Sequence, residues 1–172
     1  MASVFAETPG EIDIWNRAFD KTIGGVLPLH FDHVAADRVV MTMEVDHRTH
    51  QPMGVLHGGA SLVLAESAAS TGGNLACPTG MVAVGQEINA NHLRPKTDGK
   101  LTATALPLHI GRSSQVWAVE IRDEAHKLVC VSRCTLAVIP KPAGLPTPGE
   151  RGLLPWSAIS LPTLDETKGQ QR

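Results

Sequence analysis

The sequence predicts an α+β fold in which an antiparallel sheet wraps around one long central helix. The helix is predicted between Gly58-Gly59 and Gly72-Gly73, because the residues between the two glycine pairs are small or apolar on nearly every side. Six other segments are predicted strands, and the clearest of them, residues 38–47, alternates apolar with other residues. A helix that fills the concave face of a sheet satisfies both patterns.

The chain before the central helix is predicted to hold one helix and two strands. From Glu11, apolar residues recur every three or four positions until Gly24-Gly25, which predicts an amphipathic helix ending at these glycines. Its apolar residues are Ile12, Trp15, Phe19 and Ile23. The first strand is predicted over residues 27–33 and the second over residues 38–47.

Four strands are predicted after the central helix, over residues 82–93, 100–109, 114–122 and 127–139. The links between them are short and contain turn residues, such as Thr97-Asp98-Gly99 and Gly111-Arg112-Ser113. Because short links favour antiparallel neighbours, we expect the four strands to form a meander in chain order.

The C-terminal part of the chain has a different composition. Prolines recur from Pro140 onward, which predicts an extended tail and not a second domain. We therefore divide the chain into an N-terminal segment with its helix (residues 1–25), one domain (residues 26–140) and a Pro-rich tail (residues 141–172).

Composition and charge exclude several classes of protein. The chain has 172 residues, of which 42% are hydrophobic and 19% charged, and a net charge of -2, which offers no attraction for nucleic acid or an anionic membrane. No apolar run reaches the length of a membrane span. We expect no signal peptide, because the first residues lack a basic segment followed by a long apolar one. The three cysteines form no C-x-x-C pair, so we expect reduced thiols and a cytoplasmic protein.

Gly58 and Glu66 are the first candidates for chemistry. The N–H groups that begin a helix lack partners and lie at the positive end of its dipole, so the Gly58 N–H is suited to polarise a carbonyl oxygen. The alternative is a tight turn that needs glycine. A carboxylate in an apolar helix loses hydration, which makes Glu66 either a functional group or a structural carboxylate satisfied by a buried hydrogen bond.

The spacing of the two residues has a consequence for the site. Glu66 lies eight residues beyond Gly58, ~12 Å along the helix, so it is not expected to serve a carbonyl polarised by its own Gly58. It is able to serve one held by a second copy if two helices run antiparallel across a two-fold axis. Ser70 is four residues after Glu66 on the same face, where it either hydrogen-bonds the carboxylate or a water, or simply packs.

The remaining candidates carry weaker signals. The histidines around residues 30–57 lack the tight Cys/His spacing of a zinc site, so no metal is predicted. His92 lies on a strand, where it lines a pocket or makes an ordinary hydrogen bond. Cys130 and Cys134 are interpreted as packing residues. Arg112 and Ser113 form either a phosphate-contacting or a solvated turn.

One motif string and the order of the elements resemble a known family. The string is Gln51-Pro-x-Gly-x-x-His57-Gly58-Gly59-x-x-x-x-Leu-Ala65-Glu66-x-x-x-Ser70, with further matches at residues 85–92, 107–111, 115–117 and 132–133. Over about residues 25–140 the chain resembles the hotdog-fold acyl-CoA thioesterases, in particular those that hydrolyse 4-hydroxybenzoyl-CoA and 1,4-dihydroxy-2-naphthoyl-CoA.

The resemblance implies a fold, a reaction and roles for residues. It implies a hotdog fold and dimers in which two sheets join and the central helices lie antiparallel, commonly paired again into homotetramers. Gln51, His57 and Gly58 of one subunit then position the thioester, and Glu66 of the other attacks the carbonyl or activates water. Ser70 orients that water, and His92 contacts the acyl ring.

The resemblance also implies how coenzyme A is held. Arg94 occupies a place where relatives carry a nucleotide-contacting arginine, and Arg112 and Ser113 match a phosphate-side turn less securely. No cofactor is expected, because coenzyme A is part of the substrate. A thioester is already activated, so an oxyanion donor and one carboxylate suffice. A mixed anhydride and general-base catalysis both remain compatible with the sequence.

Two alternatives differ from the thioesterase in chemistry. A hotdog dehydratase acting on 3-hydroxyacyl thioesters pairs a histidine with a carboxylate, and we expect that histidine at a place other than His57. A non-catalytic acyl-CoA-binding module usually accompanies a DNA-binding segment, which the sequence does not show. The thioesterase is therefore the preferred hypothesis.

Overall fold

The computed structural model describes residues 9–20 and 22–143, with the backbone alone at residues 9–11. In chain order the elements are α1 (Pro9–Phe19), α2 (Ile23–Val26), β1 (Leu29–Val34), β2 (Val39–Val45), α3 (Gly58–Leu75), β3 (Met81–His92), β4 (Gly99–Ile110), β5 (Ser114–Asp123) and β6 (Leu128–Pro140). The six strands form one antiparallel sheet, which confirms the predicted α+β arrangement around a central helix. Most of the predicted tail, residues 141–172, lies outside the described residues. In the part of the chain that the structure describes, no helix is both long and apolar enough to cross a membrane.

The core is formed between α3 and the face of the sheet that it covers. Leu64, Ala65, Ala68 and Ala69 are fully buried on α3, and they belong to one hydrophobic cluster with side chains from all six strands. Alanine is small, so the helix backbone approaches the sheet closely, and the larger side chains that fill the space come from the strands, among them Met41, Met43, Leu101, Trp117 and Leu136.

The strand order differs from the predicted meander. The sheet runs β1-β2-β4-β5-β6-β3, so β3 pairs with β6 at one edge and is not a neighbour of β4. The link between β3 and β4 must therefore cross the ends of β6 and β5, about three strand spacings or ~14 Å. Its six residues, 93–98, span up to ~20 Å when extended, which is long enough for the crossing. A short link is compatible with pairing between β3 and β4, but it does not require that pairing.

The second glycine pair does not end the central helix, contrary to the prediction. Helix α3 continues to Leu75, and Gly72 and Gly73 are buried within it. A Cβ on Gly72 would collide with the Trp117 ring, and one on Gly73 would collide with Leu136. These glycines are therefore needed for close contact between the helix and strands β5 and β6.

The first helix is also shorter than predicted. It ends at Phe19, where the Thr22 hydroxyl donates to the Phe19 carbonyl oxygen at 2.8 Å, and the short helix α2 follows. Gly24 belongs to α2, where a Cβ would collide with the Phe19 ring. The pair Gly24-Gly25 thus allows α2 to fold back on α1. It does not mark the end of α1, contrary to the prediction.

Candidate active site

The turn that begins α3 is held by two loops that meet beside it. The His57 N–H donates to the Thr49 carbonyl oxygen at 2.8 Å, and Thr49 is itself buried and bonded to Asp46 through its backbone and its hydroxyl. The Leu56 N–H donates to the Lys96 carbonyl oxygen at 2.7 Å, in the link between β3 and β4. The start of the helix is therefore positioned by the same link that the strand order requires.

The hydrogen bonds at the start of α3 set which of its first N–H groups are satisfied. His57 is the N-cap, and its Nδ1 accepts from the Gly59 N–H at 2.8 Å while its carbonyl oxygen accepts from the Ala60 N–H. Among the described residues, the Gly58 N–H has no acceptor. His92 lies beside it, since a Cβ on Gly58 would stand 2.7 Å from His92 Nε2. A free N–H at the positive end of a helix is able to donate to a carbonyl oxygen, and the role of Gly58 stays a prediction.

The helix-start pocket gathers four of the predicted site residues. It has a volume of about 250 Å³ and is lined by Gln51, Gly58, His92 and Arg94, with Val55, Leu56, Ser61, Leu93 and Pro95 completing its wall. Arg94 is exposed, and its Nη1 donates to the Leu128 carbonyl oxygen, which orients the guanidinium at the pocket. His57 does not line the pocket; its ring caps the helix below it.

Glu66 and Ser70 lie in a second and larger cavity, the mid-helix pocket, of about 500 Å³. Its wall is formed by Trp15, Phe19, Thr22, Ile23, Phe31, Val63, Ser67, Thr71, Asn74 and Ala83. Glu66 is half-buried, and no hydrogen bond or ion pair of its carboxylate is found among the described residues. The structure therefore does not provide the buried hydrogen bond that a purely structural carboxylate would need.

Three aromatic rings form one part of the wall of the mid-helix pocket. The Trp15 and Phe19 rings of α1 lie 5.6 Å and 5.2 Å from the Phe31 ring of β1, measured between centroids. Asn16 fixes α1 there, because its side chain accepts from the Phe31 N–H at 2.7 Å and donates to the Phe31 carbonyl oxygen at 3.0 Å. From the sequence, Trp15 and Phe19 are predicted only as apolar positions of an amphipathic helix, with no role at a site. The available signal was that three of the six Phe and Trp residues fall within residues 15–31.

The two pockets are separate in one chain. Gly58 and Glu66 are eight residues apart on α3, which places them ~12 Å apart along the axis and rotated by ~80° around it. The groups that would hold a thioester and the carboxylate that would attack it therefore face different cavities of the same subunit.

The comparison with known proteins assigns the chain to a family. A family model described as the thioesterase superfamily matches residues 53–130. A 1,4-dihydroxy-2-naphthoyl-CoA hydrolase of Escherichia coli is 48% identical over 128 residues, which cover 74% of this chain and 94% of that protein. The chain belongs to the thioesterase superfamily.

Two further relatives agree with this assignment. A 1,4-dihydroxy-2-naphthoyl-CoA hydrolase of Listeria monocytogenes is 51% identical over 105 residues, covering 61% of this chain and 85% of that protein. The crystal structure of a Haemophilus influenzae thioesterase superposes with a TM-score of 0.73 at 44% identity, covering 81% of this chain and 96% of that one. This chain is thus a thioester hydrolase with the hotdog fold, as the motif string implied.

Arg112 and Ser113 lie far from the helix-start pocket of the thioesterase subunit. They form the turn between β4 and β5, and both are exposed. The strand register places this turn beyond the row of Gly85, Leu136 and Gln115, whereas His92 lies seven residues along β3, ~20 Å away. Their contact with coenzyme A stays a prediction, and within one subunit they do not join Arg94.

The thiols of the thioesterase are not arranged for nucleophilic catalysis. Cys77, Cys130 and Cys134 are free, as predicted. Burial raises the pKa of Cys130, and burial together with the nearby carboxylates of Glu66 and Glu87 raises the pKa of Cys134 to about 12. A thiol with a raised pKa is a poor nucleophile near neutral pH.

Proposed function

We propose that this thioesterase hydrolyses an aromatic acyl-CoA to the free acid and coenzyme A. The observation that carries the proposal is that an unpaired carboxylate, Glu66, shares one cavity with the rings of Trp15, Phe19 and Phe31. Aromatic groups bind well between other rings at edge-to-face or offset distances of ~4.5–7 Å. The two relatives named for 1,4-dihydroxy-2-naphthoyl-CoA support a ring-containing substrate.

The proposed reaction uses the groups at the two pockets. The free Gly58 N–H donates to the thioester carbonyl oxygen and stabilises the negative charge that develops on it. Glu66 attacks the carbonyl carbon or removes a proton from an attacking water, and Ser70 orients that water. If Glu66 attacks, the C–S bond breaks as a mixed anhydride forms, and water then hydrolyses the anhydride to the free acid and the Glu66 carboxylate. If Glu66 activates water, the resulting hydroxide displaces the thiolate directly. In both routes the thiolate of coenzyme A takes up a proton that the water gives up. Both mechanistic routes use the same carboxylate.

The residues around the oxyanion donor have positioning roles. His57 caps the helix through Gly59, so it holds the Gly58 N–H in place without occupying the helix-start pocket. Gln51 lines that pocket and is proposed to position the thioester, while His92 contacts the acyl group. Removal of any one of these residues should weaken turnover more than folding.

We propose that the complete site is formed by two subunits. The separation of Gly58 and Glu66 by ~12 Å supports this arrangement, because one thioester carbonyl is too small to contact both groups in the same chain. In a homodimer with antiparallel α3 helices, Glu66 and Ser70 of one copy face Gly58 of the other. Pairing of two such dimers into a homotetramer is part of the same proposal.

Coenzyme A is proposed as part of the substrate and not as a resident cofactor. Arg94 at the helix-start pocket offers a positive charge to its phosphates, and Arg112 with Ser113 is proposed to act from another subunit. With a net charge of -2, nucleic acid and membrane surfaces are not proposed as partners. Free cysteines are consistent with the cytoplasm as the proposed compartment.

The decisive experiment is release of free thiol from a panel of acyl-CoAs by the purified protein. We expect rapid release from benzoyl-type and 1,4-dihydroxy-2-naphthoyl-CoA and slow release from acetyl-CoA. Glu66→Ala and Glu66→Gln should fold normally and lose nearly all turnover. The matched control is Glu120→Gln, which removes an exposed carboxylate of β5 that pairs with the neighbouring Arg122. No release from any acyl-CoA by a folded, oligomeric protein would overturn the proposed function.

The aromatic wall allows a separate test of the acyl group. Phe19→Leu keeps an apolar side chain in the mid-helix pocket but removes a ring. We compare kcat/KM for an aryl-CoA with kcat/KM for an aliphatic acyl-CoA. The ratio of the two should fall by about tenfold, which corresponds to the energy of one aromatic pair. An unchanged ratio would contradict the aromatic substrate while leaving thioester hydrolysis in place.

A further inference from the structure

The buried hydroxyl of Ser61 has no hydrogen-bond partner. Ser61 is 1% exposed, and its Oγ is the one buried side-chain N or O atom without a partner among the described residues. A hydroxyl shielded from water in this way raises the free energy of the folded state, because it loses its bonds to water and gains none. The presence of this hydroxyl is therefore not explained by a contribution to the stability of the fold.

The same helix shows what a satisfied hydroxyl would do. Thr71 donates through Oγ1 to the Ser67 carbonyl oxygen at 2.8 Å, four residues earlier, the usual bond of a hydroxyl within a helix. For Ser61 the corresponding acceptor is the carbonyl oxygen of His57, which accepts from the Ala60 N–H, and among the described residues the Ser61 hydroxyl makes no bond to it. Elsewhere in the core, the buried hydroxyl of Ser132 donates to the Asn89 carbonyl oxygen at 2.8 Å. Ser61 is the exception among these three.

Ser61 lies in the wall of the helix-start pocket, one turn after Gly58. Residues three apart share a face of a helix, and side chains of a helix lean towards its N-terminus. A side chain at this position leans towards the end of the helix at which the Gly58 N–H is free, and the residues Ser61 and Gly58 both line the pocket. Two unpaired donors at the same helix start suit one acceptor oxygen.

We infer that the Ser61 hydroxyl donates a second hydrogen bond to the thioester carbonyl oxygen held by the Gly58 N–H. This inference rests on the proposed function and names a further catalytic residue for it. A carbonyl oxygen has two lone pairs, so it accepts from both donors, and the bonds strengthen as the oxygen becomes negative. The hydroxyl is left unpaired in the free protein because its partner arrives with the substrate.

The first test compares two buried serines with opposite expectations. Ser61→Ala removes an unsatisfied hydroxyl, so its Tm should equal or exceed that of the parent protein, while kcat for an aryl-CoA should fall by about 100-fold, as for loss of one oxyanion donor. Ser132→Ala removes a satisfied hydroxyl, so its Tm should fall, with kcat changing less than about threefold. Unchanged kcat in Ser61→Ala, with an active parent protein, would overturn the inference and leave the thioesterase intact. No thiol release by the parent protein would instead overturn the proposed function.

A second test identifies the oxygen that Ser61 contacts. Two unreactive analogues of the same aryl-CoA are used. One is a ketone, which keeps the carbonyl group, and the other is a thioether, in which a methylene replaces the carbonyl group. Ser61→Ala should weaken binding of the ketone by about tenfold and leave the Kd of the thioether unchanged, in line with the loss of one hydrogen bond. Equal effects on both analogues would place the hydroxyl against another part of coenzyme A and overturn the assignment to the carbonyl.

Discussion

The carboxylate of Glu66 lies directly against Gly85 on the edge strand β3. A Cβ at position 85 would stand 2.5 Å from Glu66 Oε1, closer than any two such atoms approach. The absence of a side chain at Gly85 therefore leaves room for the carboxylate in its present position. This contact joins the middle of the central helix to the strand that carries His92 at its far end.

Gly85→Ala should displace the Glu66 carboxylate and lower turnover without unfolding the protein. The carboxylate is the end of a flexible side chain, so it moves aside at little cost in stability. A misplacement of about 1 Å at a reacting group costs up to about 100-fold in rate. We expect kcat to fall by that order and Tm to stay within a few degrees of the parent value.

A double-mutant cycle tests whether the effect of Gly85→Ala acts through Glu66. The free energy of unfolding is measured for Gly85→Ala in the parent protein and in Glu66→Ala. Any small stability cost of Gly85→Ala should disappear when the Glu66 side chain is absent, since the clash is with that side chain. An equal cost in both backgrounds would show that the strand itself, and not the carboxylate, requires glycine.

Mixing two inactive variants should restore activity if each site is shared between subunits. Gln51→Ala damages the helix-start pocket and Glu66→Ala the mid-helix pocket, so a mixed dimer keeps one intact site and one doubly damaged site. After random exchange, about a quarter of the parent activity should return. Thiol release from co-expressed variants is the measurement. Activity no higher than that of either variant alone would show that both pockets of one subunit serve the same site.

Gly72→Ala should destabilise the fold although alanine favours helices. The new Cβ collides with the ring of Trp117, which is fully buried and held by a hydrogen bond from its Nε1 to Gln115 Oε1 at 2.9 Å. Overpacking of a core costs about 1–3 kcal/mol, against a gain of about 1 kcal/mol in helix propensity. Urea unfolding should show a lower midpoint for Gly72→Ala. Ser67→Ala, on the half-buried face of the same helix, should leave the midpoint unchanged or raise it.

Acid should weaken the link between β3 and β4 through Glu124. The Lys96 ammonium, at 2.6 Å, and the backbone N–H groups around the carboxylate lower the pKa of Glu124 from 4.5 to about 2. Because the folded state binds this proton less tightly than the unfolded state, the stabilisation is complete above pH ~4.5 and is lost as the pH falls towards 2. Glu124→Gln should therefore lose less stability over this range than the parent protein.

The measurement is Tm between pH 6 and pH 2, with and without 1 M sodium chloride. The Glu124 carboxylate is exposed, so salt should weaken its interaction with Lys96 and bring the parent protein closer to Glu124→Gln. Parallel curves for the two proteins across the whole range would refute the role of this group in acid stability.

The cysteines should react slowly with thiol reagents while the protein is folded. Burial raises the pKa of all three thiols, and that of Cys134 reaches about 12, so little thiolate is present at pH 8. We expect the coloured reagent 5,5′-dithiobis(2-nitrobenzoate) to detect all three thiols only after denaturation. Fast reaction of a folded protein would contradict the burial, and the assay of thiol release would then require a correction for it.

The sequence by itself determined the helix start and the elements around it. Gly58 begins the helix because the residues that follow His57 are apolar and small, and that local pattern does not depend on the rest of the chain. Glu66 stood out because a carboxylate among alanines and leucines is costly unless it is used. The motif string then implied the hotdog fold and the thioesterase reaction, which the fold and the comparisons confirmed.

Only the tertiary structure decided which residues meet. Strand pairing depends on contacts between distant segments, so the short link before β4 did not reveal that β3 pairs with β6. Glycine is needed at positions 72 and 73 because the side chains of Trp117 and Leu136 lie against the helix there. No local sequence pattern encodes that contact. The aromatic wall beside Glu66 arises because Asn16 fixes α1 to β1, and the unpaired hydroxyl of Ser61 is visible only once its neighbours are in place. Local periodicity specifies elements, whereas pockets and unsatisfied polar groups are properties of the packed chain.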